Sequence, residues 1–135
     1  MNNILIISAL NITEYAFKEI YDGKTSVDLA VSASNSFSDV SKKVVIVPEK
    51  MDSFPSLKGF ELCNLKGDNS ESLIRTLSKL SEGFDNIFYY NIDCPLIDPE
   101  LFEKMYSNHK KYFCEYTFAD GYPLGISVEI IKTSI

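Results

Sequence analysis

Basic side chains are scarce in this chain. Lys and Arg total 13 against 19 Asp and Glu, and the formal net charge is −6. Arg75 is the one arginine and His109 the one histidine. A surface for nucleic acid or for an anionic membrane needs clustered Lys and Arg, so neither partner is expected. A nucleotide remains compatible, because it needs only a few local donors or a metal. The 3 cysteines, Cys63, Cys94 and Cys114, form no CxxC pair, which argues against a structural zinc or a disulfide framework. They read as reduced thiols of a cytoplasmic protein. No CxxxCxxC is present, so no iron–sulfur cluster is expected in this segment. No apolar run reaches transmembrane length. "MNNILIISAL" lacks both a basic leader and a small-residue cleavage site, and reads as a strand. Glycine is absent before Gly23.

What is present is an alternation of short apolar runs and amphipathic stretches. The 135 residues suffice for one domain with a real core, expected to span 1–135. "NILIISAL" (3–10) and "KKVVIVP" (42–48) read as buried strands, and "FELCNL" (60–65) as a short third. "FDNIFYYNI" (84–92) is the expected central strand. Helices are expected over the short amphipathic stretch 13–21, with Ala16, Phe17 and Ile20 inward, and over 26–40, with "DGK" as the turn between them. A third follows Asp68 and Asn69, with Glu71 completing a capping box and Leu73, Ile74, Leu77 and Leu80 on one face. The fourth starts at Asp98–Pro99–Glu100 and buries Leu101, Phe102, Met105 and Tyr106. "EYTFADGYPLGISVEII" reads as strand, turn, strand. The pattern predicts a three-layer α/β fold, a mostly parallel central sheet with helices on both faces. Ligands of such sheets bind beyond the carboxyl ends of strands where strand order switches. The chain stops on an apolar run, as a domain cut from a longer protein does, and a downstream domain of the same chain is therefore expected.

Asp93 stands one residue past the central strand and two before Pro95, which stops that strand. A carboxylate there can hold Mg²⁺ together with phosphate oxygens. It can equally satisfy the backbone amides of its own turn. Lys24 beside Gly23 reads, on its own, as a solvated turn lysine. Cys94 reads as turn filler. His109, near a helix C-terminus, complements the helix dipole with Lys110 and Lys111.

"YYNIDCPLIDPELFEKMYSNH" resembles a motif of the nucleotidyltransferase superfamily that includes CMP-sugar synthetases and molybdenum-cofactor guanylyltransferases. There a strand ends in Gly-Asp-x-Pro-Leu-Ile and a helix beginning Asp-Pro-Glu follows. "DGKTSVDLAVSASNSFSDVSKKVVIV" is similar to the Gly-Lys-Pro-Leu stretch, helix and second strand of the same superfamily. The resemblance implies a nucleotide-diphospho-sugar transferase-like fold that moves a nucleotidyl group from an NTP onto a sugar or phosphate acceptor. Asp93 would be the catalytic, metal-binding acid. Lys24, Ser8 and Ala9 would bind the nucleotide, and Glu115, Asp120 and Tyr122 would edge the substrate pocket. Two departures stand out. The first loop, "SALNITEYAFKEIYDGK", lacks the glycines and the arginine that cradle phosphate, and Ile92 replaces the glycine before the acid. These predict a degenerate relative serving as a recognition or assembly module, with an active Mg²⁺-dependent transferase and a ligand-free interaction module as the alternatives. The chain also resembles the N-terminal part of a spirochaete-restricted family whose members carry a radical S-adenosylmethionine domain and a SPASM domain downstream.

Overall fold

The computed structural model describes residues 2–10, 19–21, 23–49, 51, 54–67, 69–92, 97–119 and 128–133. Apolar runs that stay apolar for five or six residues can only be buried on both faces, and they build the middle of one six-stranded sheet. Strand β1 (Asn3–Ser8) is buried along its whole length. It lies between β4 (Val40–Val47) and β6 (Asn86–Asn91), parallel to both. Beyond β4 lies β5 (Glu61–Asn64), also parallel. Beyond β6 lie β8 (Glu129–Lys132) and then β7 (Tyr116–Thr117), antiparallel in turn. The chain leaves β1 toward β4 and β5, then returns to the other side of β1 as β6. Strand order thus reverses between β1 and β6, and their carboxyl ends flank the switch point.

Period-two alternation sorts the sheet's side chains onto two faces. Leu5, Ile7, Val45, Val47, Phe88 and Tyr90 meet helices α1 (Ser26–Ala33) and α3 (Pro99–Lys111). Ile4, Ile6, Val44, Ile46 and Ile87 meet Leu73, Leu77 and Leu80 of α2 (Ser70–Leu80) on the other face. The three-layer, mostly parallel architecture is the one the sequence pattern predicts. Phe37, Phe88, Phe102 and Tyr106 form an aromatic cluster under α3, with ring centroids 4.3–6.4 Å apart. Among the described residues, no helix is long and apolar enough to cross a membrane.

Several elements differ from expectation. Glu19–Tyr21 forms strand β2 rather than the end of a helix, and it pairs with β3 (Lys24–Thr25) in a two-stranded ribbon. Gly23 turns between them at φ 76, a conformation glycine adopts without a steric penalty. Residues 11–18 lie outside the described residues. Helix α1 stops at Ala33, well short of residue 40. The Ser34 hydroxyl donates to the Val31 carbonyl at 2.6 Å, and a single 3-10 turn over Ser34–Ser36 follows. Short polar side chains that bond nearby backbone compete with helix continuation. Helix α2 is capped one residue later than Asp68, which is outside the described residues. The Asn69 side chain accepts the Ser72 amide at 2.8 Å, and Glu71 pairs with Arg75 one turn on. Ile74, expected on the buried face, is 63% exposed, and α2 has no fully buried residue.

Candidate functional site

Three hydrogen bonds tie the switch-point rim together. The Ile92 amide donates to the Ser8 carbonyl at 2.9 Å, and the Ala9 amide to the Ile46 carbonyl at 2.7 Å. The Ser26 hydroxyl, at the start of α1, donates to the Ile92 carbonyl at 3.2 Å. On the same helix, the Ala30 carbonyl accepts the Tyr90 hydroxyl at 2.6 Å. Helix α1 is therefore clamped to β6 at two levels, and its first turn sits against the strand end that leads into Asp93. Lys24, exposed, lies two residues before Ser26 on this rim. Ser8 is buried, and its hydroxyl faces Tyr89, whose phenol is raised by burial, lowered by the Ser8 bond and raised again by Glu129. Ala9 is fully buried with its amide held in the sheet ladder.

The fold thus brings Ser8, Ala9 and Lys24 to one rim beside Ile92. Asp93, Asp120 and Tyr122 lie outside the described residues. Glu115 is elsewhere: its carbonyl accepts the Lys132 amide at 2.7 Å, and Lys132 pairs with Asn86, the first residue of β6. It sits at the sheet end opposite Asn91, about 16 Å away at strand rise. The physical reason is the direction of β7, which begins level with the start of β6.

The electrostatics of the α1 start bear on phosphate binding. A helix N-terminus attracts anions through its unpaired amides and its dipole. Here Thr25 caps the helix: its hydroxyl accepts the Asp28 amide at 3.1 Å, and the Asp28 carboxylate accepts the Thr25 amide at 3.0 Å. A carboxylate already neutralises this end and repels a second anion. Among the described residues, no group of three or more His, Cys, Asp or Glu is placed to hold a metal. Asp93, the carboxylate expected from the sequence to hold a hard cation, is outside those described residues.

A second polar constellation, at the opposite end of the sheet, escaped the sequence reading. The Tyr106 hydroxyl donates to Asp39 at 2.7 Å and accepts from Asn3 Nδ2 at 2.9 Å. Asn86 Nδ2 donates to Asn3 Oδ1 at 3.0 Å, and His109 Nε2 lies 2.9 Å from Asn86 Oδ1. A carboxylate only accepts, so Asp39 sets the direction of every bond in the row. His109 Nε2 must carry the proton, and Nδ1 accepts from Thr117 Oγ1 at 2.7 Å. Among the described residues, no buried side-chain nitrogen or oxygen lacks a partner. Burial and the Asp39 bond push the Tyr106 phenol up to about 12, so it stays a donor. Burial first, and Lys132 second, hold His109 below its ordinary 6.5. No local pattern announces this row, because its members come from residues 3, 39, 86, 106, 109 and 117.

The row makes stability pH-dependent with a definite sign. Native His109 stays neutral while the unfolded chain takes up a proton below about 6.5, so stability is full above 6.5 and falls as pH drops toward the lower native value. With one histidine in the chain, no second imidazole contributes in that window. Urea midpoints measured from pH 7.5 to 5.5 should decline for the native chain and stay nearly flat for His109→Gln. Parallel declines in both would assign the effect to other groups.

No known family profile matches this chain. A 58-residue stretch is 35% identical to an uncharacterized protein of Treponema pallidum (strain Nichols), covering 43% of this chain and 26% of that protein. The chain thus spans about a quarter of that relative. Among solved structures, it superposes on 2-C-methyl-D-erythritol 4-phosphate cytidylyltransferase of Francisella tularensis with a TM-score of 0.71 and 14% identity, covering 98% of this chain and 73% of that one. A Mycobacterium tuberculosis protein in complex with manganese matches at 0.69 and 12% identity, over 99% and 72%. CMP:2-keto-3-deoxy-manno-octonic acid synthetase complexed with CTP matches at 0.68 and 11%, over 99% and 75%. At these identities the likeness shows the fold: nucleotide-diphospho-sugar transferase-like, shared with cytidylyltransferases.

Proposed function

We propose that this chain is a degenerate nucleotidyltransferase-like domain acting as a recognition or assembly module of a larger protein. The observation that carries the proposal is the Thr25–Asp28 capping box. It closes the α1 start with a carboxylate, beside the strand-order switch point where open α/β sheets bind their ligands. The glycine-free first loop and the buried Ala9 amide, held by Ile46, support the same reading. The larger protein in this reading carries the radical S-adenosylmethionine and SPASM domains of the family that the sequence resembles.

A second reading is favoured by a different observation. The Ser26–Ile92 bond holds the segment bearing Lys24 against the strand end that precedes Asp93. That arrangement supports an active transferase, in which Asp93 would hold Mg²⁺ and Lys24 would contact phosphate. The metal would supply charge neutralisation at the transferring phosphoryl group. A sugar or phosphate acceptor belongs to this reading.

Thermal-shift and calorimetric titrations of CTP, GTP, ATP and UTP, with and without Mg²⁺, separate the two. A site filled at 100 times its Kd adds about 2.7 kcal/mol, a midpoint rise of several degrees. The degenerate reading expects no such rise with any nucleotide. A Mg²⁺-dependent rise that disappears in Asp93→Asn would overturn it in favour of the transferase.

A further inference from the structure

At the sheet end opposite the rim, the close of α3 and strand β8 enclose a cleft of about 190 Å³. Its walls include His109, Lys110, Phe113, Cys114 and Lys132. The conspicuous residue is Phe113. Helix α3 ends with the Cys114 amide donating to the His109 carbonyl at 3.0 Å and the Phe113 amide to the Lys110 carbonyl at 3.4 Å, a Schellman arrangement. Phe113 occupies the left-handed position of that motif at φ 53, where glycine is favoured and a Cβ is strained. Its side chain is 86% exposed, so core burial does not offset the strain. Folding alone gives no reason for an aromatic ring there, and backbone outliers of this kind concentrate at functional sites.

The remaining walls supply complementary chemistry. Lys110 rests its ammonium 4.2 Å from the Tyr106 ring centroid. Lys132 lies close enough to His109 to act on its charge. Neither lysine forms an ion pair among the described residues. Asp85, the acid of the cleft, already accepts the Asn2 amide at 2.8 Å. His109 is held on both ring nitrogens and contributes surface rather than a free donor. The cleft is therefore an apolar hollow with two cations at its edge. Its volume is below the roughly 300–1,000 Å³ of drug-sized sites.

We propose that this cleft binds a small organic carboxylate with a one-ring or branched apolar body, its charge between Lys110 and Lys132 and its body against Phe113. It lies apart from the switch-point rim, so it stands or falls independently of any nucleotide reading.

Cys114 provides the readout, since its thiol is half-buried in the cleft wall. Its alkylation rate, followed by peptide mapping, should fall saturably with phenylacetate and remain unchanged with phenylacetamide or inorganic phosphate. Lys132→Gln, at an exposed position, should weaken phenylacetate protection about tenfold or more, the loss of one charge-assisted bond. Phe113→Gly should weaken protection similarly while raising the unfolding midpoint by roughly 3–5 °C, because it relieves the left-handed strain. No saturable protection up to about 10 mM would overturn the proposal, that concentration exceeding the Kd of even a millimolar site. Equal protection by the amide would remove the carboxylate, and equal protection by phosphate would remove the apolar body. Unchanged protection in Phe113→Gly would overturn the assigned role of the ring.

Discussion

Phe88→Ala is expected to lower the free energy of unfolding by about 4 kcal/mol, within the ~3–5 kcal/mol typical of a buried aromatic truncated in a core. Phe88 has no exposed surface. Its ring meets the edges or faces of Phe37 at 6.4 Å, Phe102 at 4.8 Å and Tyr106 at 5.1 Å, all near perpendicular. These contacts join β6, α3 and the segment after α1, so the cavity is bounded by three elements that cannot all move in. Against a total of roughly 5–15 kcal/mol for a domain, the loss is a large fraction. Urea unfolding of both proteins measures it. A loss below about 1.5 kcal/mol would mean that the cluster collapses around the gap, contrary to its packing.

Asn86→Leu is the second large effect, about 3 kcal/mol, and its cause is polar rather than volumetric. The side chain is nearly isosteric, but it leaves His109 Nε2–H and Asn3 Oδ1 without their partner in a buried environment. An orphaned buried donor or acceptor costs ~1–3 kcal/mol, and members of one network add more than pairwise. Tyr106→Phe, which cuts the row near its far end, should cost less: it orphans one buried donor, Asn3 Nδ2, while Asp39 is exposed and water can replace its lost donor. Denaturant midpoints of the two variants rank them. A smaller loss for Asn86→Leu than for Tyr106→Phe would show that the row is not the tightly coupled unit its bond directions imply.

Some elements were legible in the residues themselves because their cause is local. "NILIIS" and "KKVVIV" can only be buried strands, and Asp98–Pro99–Glu100 starts α3 where the capping chemistry puts it, with Asp98 accepting the Glu100 and Leu101 amides. Of the residues expected at the rim, Ser8 meets Ile92 directly, Ala9 follows it, and Lys24 lies two residues before Ser26, which bonds Ile92. What failed depended on partners distant in sequence. Strand β2 reads as helix until its ribbon with β3 is known. Ile74 fits the apolar period of α2 but falls outside the strip that the sheet covers. Glu115 was expected beside Asp93, yet strand direction, invisible in composition, carries it to the other end. The Asn3–Asn86–His109 row has no motif at all, since each member is an ordinary polar residue until the sheet assembles it.

The pairing of β1 with β6 has a consequence for biosynthesis. The two strands meet across 83 residues of chain, as the Asn86–Asn3 bond records. At roughly 5–20 residues per second, a ribosome needs on the order of 4–17 s to deliver β6 after β1 has been made. During that interval one long edge of the most apolar strand waits without its neighbour, and β4 alone can shield the other. Non-local closure of this kind slows folding, and an unpaired apolar edge invites association between nascent chains. The domain should therefore mature late on the ribosome and depend on chaperone cover for its first strand, with truncations before Asn86 captured far more readily than those beyond Lys132.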